Sequence, residues 1–314
     1  MSFCYQVYGL NCLSEVEIPA FLSVSNLLPT EIDFQVKIGK VERQFTELAQ
    51  ILDDYSQLNE REFYLHVPEV GRYFVRNGNE VTIEPLAEAF KDVLLYFQSN
   101  CLAAILFQRN LIPFHVSGVM DKEGGVWLFS APSGTGKSTT ALKLQEMGYR
   151  LFTDDTALVY VENGVCYARA SYPMLKAWQQ TMDNQKFYSI QETFQIETGY
   201  DKFGVLFHRD FVNLPAPVKG IVFLDIAGDQ IRISPMKAPQ GMAYLMANVY
   251  RGEWASALNK IKLQFLTAAE IAKTVPFFEA SRPEDFPTFK DFAMEIEKKI
   301  ILGEMETLKI ANSI

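Results

Sequence analysis

Through the first eighty residues, hydrophobic and polar positions alternate. Ile32, Phe34, Val36 and Ile38 take every second place, as do Phe63, Leu65 and Val67, which is the period of two expected of strands with one buried face. RYFVRNGNEVTI (72–83) reads as a hairpin, because Asn77-Gly78 separates two β-prone runs and both residues tolerate the positive φ of a tight turn. The period then changes. Leu86, Phe90, Val93, Leu94, Phe97, Leu102, Ile105 and Leu106 recur at helical spacing and predict a long helix over 86–108 with a wide apolar face, joining the β-rich part to the remainder of the chain. Beyond residue 108 strands feed helices: VWLF (126–129) and IVFL (221–224) are continuous apolar runs of the kind found in strands covered on both faces. The last third reads as mostly helical, with Ser281, Pro283 and Pro287 breaking the chain before FKDFAMEIEKKIIL (289–302) and Gly303 placed to end that helix.

Composition narrows the picture. The chain has 314 residues, 48% apolar and 21% charged, as in an ordinary globular protein large enough for two domains. A net charge of −9 argues against nonspecific binding to nucleic acid or an anionic membrane, which needs a positive surface. Cys4, Cys12, Cys101 and Cys166 form no CxxC pair, so neither a zinc site nor a disulfide framework is suggested and a cytoplasmic location is expected. The opening MSFCYQVYGLNC lacks the basic and apolar regions of a signal peptide. VLLYFQSNCLAAILF (93–107), interrupted by Gln98, Ser99 and Asn100, is too short to cross a bilayer.

The strongest chemical signal is APSGTGKS (131–138), a phosphate loop of the form [AG]-x4-G-K-[ST] with an apolar strand before it and the helix-forming run TTALKLQEM, closed by Gly148, after it. Ser133, Gly134, Thr135 and Gly136 would wrap the phosphates with backbone N–H groups, Lys137 would reach the β- and γ-phosphates, Ser138 would ligate Mg²⁺, and Thr139 is a weaker candidate for a phosphate contact. ATP and Mg²⁺ are therefore the expected cofactors. Binding is not catalysis, so an acceptor-activating group and a second metal contact are also needed. Two acidic segments compete for those roles. Leu151-Phe152-Thr153-Asp154-Asp155 ends in paired carboxylates that can divide the labour; Ile221-Val222-Phe223-Leu224-Asp225 looks like an ordinary metal-binding strand, but Asp225 is followed by Ile-Ala-Gly and equally suits a turn. The pair is the preferred candidate.

Residues 114–158, FHVSGVMDKEGGVWLFSAPSGTGKSTTALKLQEMGYRLFTDDTALV, resemble the nucleotide-binding segment of the HPr kinase/phosphorylase family, in particular its shorter, divergent members. The resemblance rests on a His on the entering strand, the phosphate loop, Gly-Tyr-Arg-Leu and the Asp-Asp pair. YQVYGL, RYFVRNG, SYPMLKAW (171–178) and PVKGIVFLD (217–225) extend it more loosely. It implies an α/β fold: a P-loop kinase domain of the HPr kinase/PEP carboxykinase-like type over 111–314 with helical C-terminal elements, an N-terminal β-rich domain over 1–85 and a connecting helix over 86–110. It also implies that Asp154 accepts the proton of the attacking hydroxyl, that Asp155 lies toward His115 and the metal, and that the protein forms a homo-oligomer. The chain departs from full HPr kinases at Ala131, at Thr139, where an acidic residue is usual, and in lacking a downstream acidic, glycine-containing signature. The implication therefore stops short of HPr as substrate and of the phosphorylase reaction.

Taken together these readings predict a cytoplasmic ATP-dependent kinase acting on a hydroxyl, a serine of a protein or peptide before a small molecule. A non-catalytic ATP sensor and an NTP hydrolase are the alternatives. Lys202 is either a further charge for the transferring phosphoryl or a surface lysine, and His66 and His208 are expected to be structural or exposed. The Asn-Lys-x-Asp of a GTPase is not met by Asn259-Lys260-Ile261-Lys262, and the Leu-Ser-Gly-Gly of a transporter ATPase does not occur.

Overall fold

A computed structural model of the protein describes residues 2–25, 27–183, 192–196, 199, 201–285 and 288–304. Two nine-stranded sheets face a central helix, and a three-stranded sheet lies beside the second of them. Pro287, one of the expected break points, lies outside the described residues.

The N-terminal sheet has the strand order Leu22–Ser23, Phe3–Val7, Leu10–Ser14, Phe34–Ile38, Glu80–Pro85, Gly71–Arg76, Glu62–Val67, Ser56–Leu58 and Gln50–Ile51. Phe34, Val36, Phe63 and Leu65 are buried as the alternation requires, whereas Ile38 is exposed and Ile32 precedes the strand. The other face is not bare, since Val41, Tyr64 and Phe74 form a small cluster there. The expected hairpin pairs Arg76 with Glu80, and Asn77 and Gly78 both adopt positive φ (51° and 64°). Its turn is fastened to the end of the central helix: Gly78 N–H donates to Gln108 (2.6 Å), and Arg109 bonds both Gly78 O (3.2 Å) and Asp33 (2.6 Å).

The helix begins at Phe90 rather than Leu86, which is exposed before it. It runs as Phe90–Tyr96, a wide turn Phe97–Cys101 and Leu102–Gln108. The wide turn takes up Gln98, Ser99 and Asn100, the residues that interrupt the apolar run, and Ser99 Oγ donates back to Leu95 O (2.8 Å). At 19 residues the helix is long and apolar enough to cross a membrane, which the 93–107 run alone is not, but 67% of it is buried inside the protein. Residues 101–107 are buried on every side because sheets cover the helix on both flanks, with Phe21 touching both Phe97 (5.9 Å) and Tyr172 (5.6 Å).

In the second sheet Val126–Ser130, Ala216–Ile226 and Phe277–Arg282 run parallel, while Val116–Met120 is antiparallel to both Val126–Ser130 and Arg150–Thr153. That arrangement brings four chain positions to one end of the sheet: the loop after Ser130, the turn after Thr153, the start of Val116–Met120 and the end of Phe277–Arg282. In an α/β sheet the carboxyl ends of parallel strands are where ligands bind. The last third is less helical than its sequence suggests, because Arg232–Met236 and Phe277–Arg282 are strands. The final helix, Thr288–Ile296 continuing to Ile301, precedes Gly303 at φ 74° as expected.

Candidate active site

The phosphate loop leaves the buried strand Val126–Ser130 and enters the helix Lys137–Glu146. Gly134 and Gly136 take positive φ (87° and 110°), conformations a side chain disfavours, and Pro132, Ser133 and Gly134 are exposed. The helix therefore presents unpaired N–H groups and the positive end of its dipole to an open loop, which is the geometry that binds anions. Lys137 folds back on the loop, its Nζ donating to Ala131 O (2.8 Å) and Pro132 O (3.3 Å). Burial lowers its pKa, against the opposing pull of Asp154 and Asp155.

Asp154 and Asp155 occupy a tight turn in which Thr153 Oγ1 donates to Thr156 O (2.6 Å) and Thr156 N–H donates to Asp154 O (2.8 Å). Asp155 is left-handed (φ 67°), a conformation aspartate adopts more readily than most residues. Consecutive residues in such a turn point apart, and the two carboxylates consequently meet different partners. Asp154 is 2% exposed; its Oδ1 accepts from Ser138 Oγ (2.7 Å) and Ser117 Oγ (2.5 Å), its Oδ2 from the Lys176 backbone N–H (2.9 Å). Asp155 is partly open and accepts from Lys176 Nζ (2.7 Å), with His115 Nε2 at 3.8 Å.

The electrostatics follow from these contacts. Burial works to raise the Asp155 pKa, but Lys176 and His115 outweigh it and hold the carboxyl at about 2. Burial likewise works to lower Lys176, and Asp155 reverses that, keeping the ammonium charged. His115, half-buried beside Lys137, falls to about 4 through desolvation and the Lys137 charge and is neutral near pH 7; its ring meets Tyr250 edge-on at 6.1 Å.

Of the residues singled out in the sequence, the structure brings Lys137, Ser138, Asp154, Asp155 and His115 together. Ser138 bonds Asp154 rather than Asp155, and Asp155 approaches His115. Lys202 pairs with Trp178 across two strands, lies 5.3 Å from that ring, and its charge acts on His115, Lys137 and Asp155. Asp225 is exposed at its strand end and accepts the N–H of Ile226 (2.8 Å), a turn contact. His208 bonds Phe21 O (3.2 Å) and His66 lies in the N-terminal sheet, both away from the loop.

Three residues of the site carry no sequence motif of their own. Ser117 lies inside the strand Val116–Met120, two places after His115, which stands at the break just before that strand rather than on it. Lys176 sits in SYPMLKAW, whose only signal is its family-like texture. Arg282 ends the strand Phe277–Arg282, whose β-prone Phe277-Phe278 after Pro276 was the available signal.

No family model and no curated protein matches the chain. Among solved structures, the HPr(Ser) kinase/phosphatase from Coxiella burnetii matches over 60% of this chain and 97% of its own at 12% identity, with a TM-score of 0.32. A likeness that slight carries no argument, and the site's own geometry has to supply one.

Proposed function

We propose that the chain is an ATP- and Mg²⁺-dependent phosphotransferase that moves the γ-phosphoryl group to a hydroxyl, a serine of a protein or peptide in preference to a small molecule. The observation that carries the reading is the hydrogen bond from Ser138, the last residue of the phosphate loop, to the buried Asp154, with a second, more open carboxylate beside it on Asp155.

The donors suit Mg²⁺. Ser138 Oγ and Asp154 Oδ1 are hard oxygens 2.7 Å apart at the loop, and Mg²⁺ commonly takes one or two protein oxygens and completes its shell with phosphates and water. Accordingly, no cluster of three or more His, Cys, Asp or Glu suited to a metal occurs among the described residues. Bound there, Mg²⁺ would neutralise phosphate charge. The backbone N–H groups of 133–139 would cradle the phosphates, and Lys137 would exchange its bonds to Ala131 O and Pro132 O for phosphate oxygens. The acceptor oxygen forms a bond to the γ-phosphorus as the bond to the β,γ-bridging oxygen breaks, ADP leaves, and the hydroxyl proton passes to Asp155.

In this reading the carboxylates exchange the roles that the family resemblance implied: Asp154 faces the metal and Asp155 faces the acceptor. Asp155, held at about 2 by Lys176, is a weak base. That suits phosphoryl transfer, where positioning and charge neutralisation contribute more than proton abstraction. His115, neutral near pH 7, would orient Asp155 rather than compete with it for the proton.

One contact favours a second reading, ATP sensing. Tyr8 of the N-terminal sheet donates its backbone N–H to Ser171 O (2.9 Å) and shares a 2.5 Å hydrogen bond with Thr156, so the turn holding both carboxylates is tied to the N-terminal part. The test follows label from [γ-³²P]ATP and Mg²⁺ into a small-molecule-depleted lysate and, separately, its metabolite fraction, with Lys137→Ala and Asp154→Asn alongside. Label entering one acceptor, and vanishing in both variants, supports the kinase. ATP binding without label transfer favours the sensor, and label appearing only as inorganic phosphate favours hydrolysis.

A further inference from the structure

Arg282 is 3% exposed, and among the described residues it makes no ion pair. Its guanidinium lies 3.7 Å from the centroid of the Phe289 ring. Nη1 donates to Pro283 O (2.6 Å), Glu284 O (3.2 Å) and Thr288 Oγ1 (3.5 Å), and Nη2 donates to Thr135 O (3.4 Å), inside the phosphate loop. Nε is buried with no hydrogen-bond partner. Phe289, the platform under the guanidinium, also packs on Gly136, where any added side chain would collide with its ring.

Burying a cation without a carboxylate is costly, and such charges are ordinarily paired. Burial does lower the Arg282 pKa, with Glu284 opposing it, yet a guanidinium remains charged. Its bonds to Pro283 O, Glu284 O and Thr288 Oγ1 fasten the chain after the strand, but none of them neutralises the charge. The placement has a different consequence: a fixed positive charge sits directly behind the loop that is to receive several negative ones. The same side chain holds Thr135 O and, through Phe289, the left-handed Gly136 that opens the helix Lys137–Glu146.

We propose that Arg282 is a positioning residue of the nucleotide site, supplying a buried counter-charge to the di- and triphosphate and fixing, with Phe289, the conformation of the loop that binds it. The inference rests on the phosphate loop binding a nucleotide, and assigns this further residue to that function. The guanidinium acts through the loop backbone and needs no direct contact with the ligand.

The test is calorimetric titration of the full chain with ATP, ADP and inorganic pyrophosphate at several salt concentrations, using Arg282→Gln, Arg282→Lys and Phe289→Leu, with Lys137→Ala as reference. Losing a hydrogen-bonded charge at the loop should weaken ATP, ADP and pyrophosphate binding about tenfold or more in Arg282→Gln. The salt dependence of binding should also become shallower, because one fewer charge meets the anion. Arg282→Lys should recover the salt dependence but only part of the affinity, since Lys keeps the charge without the planar stacking. Phe289→Leu should lose affinity several-fold with its salt dependence intact; if Arg282→Gln fails to fold, this variant carries the test, and wild-type binding by it overturns the proposal. Wild-type affinity and salt dependence in Arg282→Gln, alongside lost binding in Lys137→Ala, also overturn it and leave the nucleotide reading standing. If wild type and Lys137→Ala bind nothing alike, the nucleotide reading itself fails and the proposal falls with it.

Discussion

In the N-terminal sheet, Lys37 and Glu80 pair at 3.0 Å and Arg72 and Glu84 at 3.1 Å, with side chains between 22% and 43% exposed. At the carboxyl end of the second sheet Lys137, Asp154 and Arg282 are almost wholly buried, Arg282 with no ion pair among the described residues, while Lys176 and Asp155 pair at 2.7 Å with side chains 12% and 23% exposed. Water solvates the charges of these two pairs whether or not they form, so each contributes little; Glu62, buried beside Arg76 at 3.4 Å, is an exception in that sheet. In the second, water is largely excluded from Lys137, Asp154 and Arg282, and those charges depend on their neighbours. The first sheet is a surface that tolerates charge, whereas the second is a site organised around it.

The comparison can be broken most sharply at Asp154. Replacing it with Asn removes the negative charge and turns one of its two acceptor oxygens into an NH2 donor, facing either the Ser138 and Ser117 hydroxyls or the Lys176 N–H, and should lower phosphoryl transfer at least about a hundredfold in a radiolabel assay while the fold survives by circular dichroism. Unchanged turnover would show that the buried carboxylate is structural, like those of the first sheet. Next in size is Lys176→Met, which leaves Asp155 with no cation in hydrogen-bond contact. The expected cost is about 3–5 kcal/mol in urea unfolding, much of it recovered by adding Asp155→Asn. Additive losses would mean that the two side chains do not act as a pair.

The same pair sharpens the contrast through pH. The folded pKa of Asp155 is depressed to about 2 from near 4, so its stabilisation is fully present above about pH 4 and is lost as pH falls toward 2. His115 is depressed to about 4 from 6.5, so the unfolded chain binds its proton first and stability begins to fall below about pH 6.5. Unfolding free energy measured against pH should therefore decline in two stages, and His115→Gln should flatten the upper one. An upper stage unchanged in that variant would place the titration elsewhere. The smallest effect belongs to the first sheet: Lys37→Ala should change stability by about 0.5 kcal/mol or less and vanish in high salt. A larger loss would contradict the solvated-surface reading.

How far the sequence spoke for itself differs along the same divide. The loop 131–136 with its strand and helix, and the Asn77-Gly78 turn, were legible because each depends on local backbone requirements: positive φ, a helix start, an apolar strand. The Asp pair was legible as a candidate, but the direction of each carboxylate was not. That depends on the left-handed turn at Asp155 and on which neighbours the sheet register supplies. Lys176 and Arg282 were missed for the same reason. They stand 39 and 145 positions beyond Lys137 and reach the site through tertiary structure, Arg282 by pairing in the second sheet and Lys176 from the three-stranded sheet beside it, which leaves no local spacing to read.

The sequence by itself determined the alternation of the N-terminal strands, the central helix as an apolar segment, and the glycine-bearing loop between a buried strand and a helix, because side-chain period and glycine geometry act over a few residues. The tertiary structure alone decided that Ser138 meets Asp154, that Lys176 holds Asp155, and that an arginine from the last strand of the second sheet lies behind the loop. Strand pairing carries the Asp154 turn and Arg282 to one end of the second sheet, the neighbouring three-stranded sheet brings Lys176 there, and burial makes charge energetically decisive.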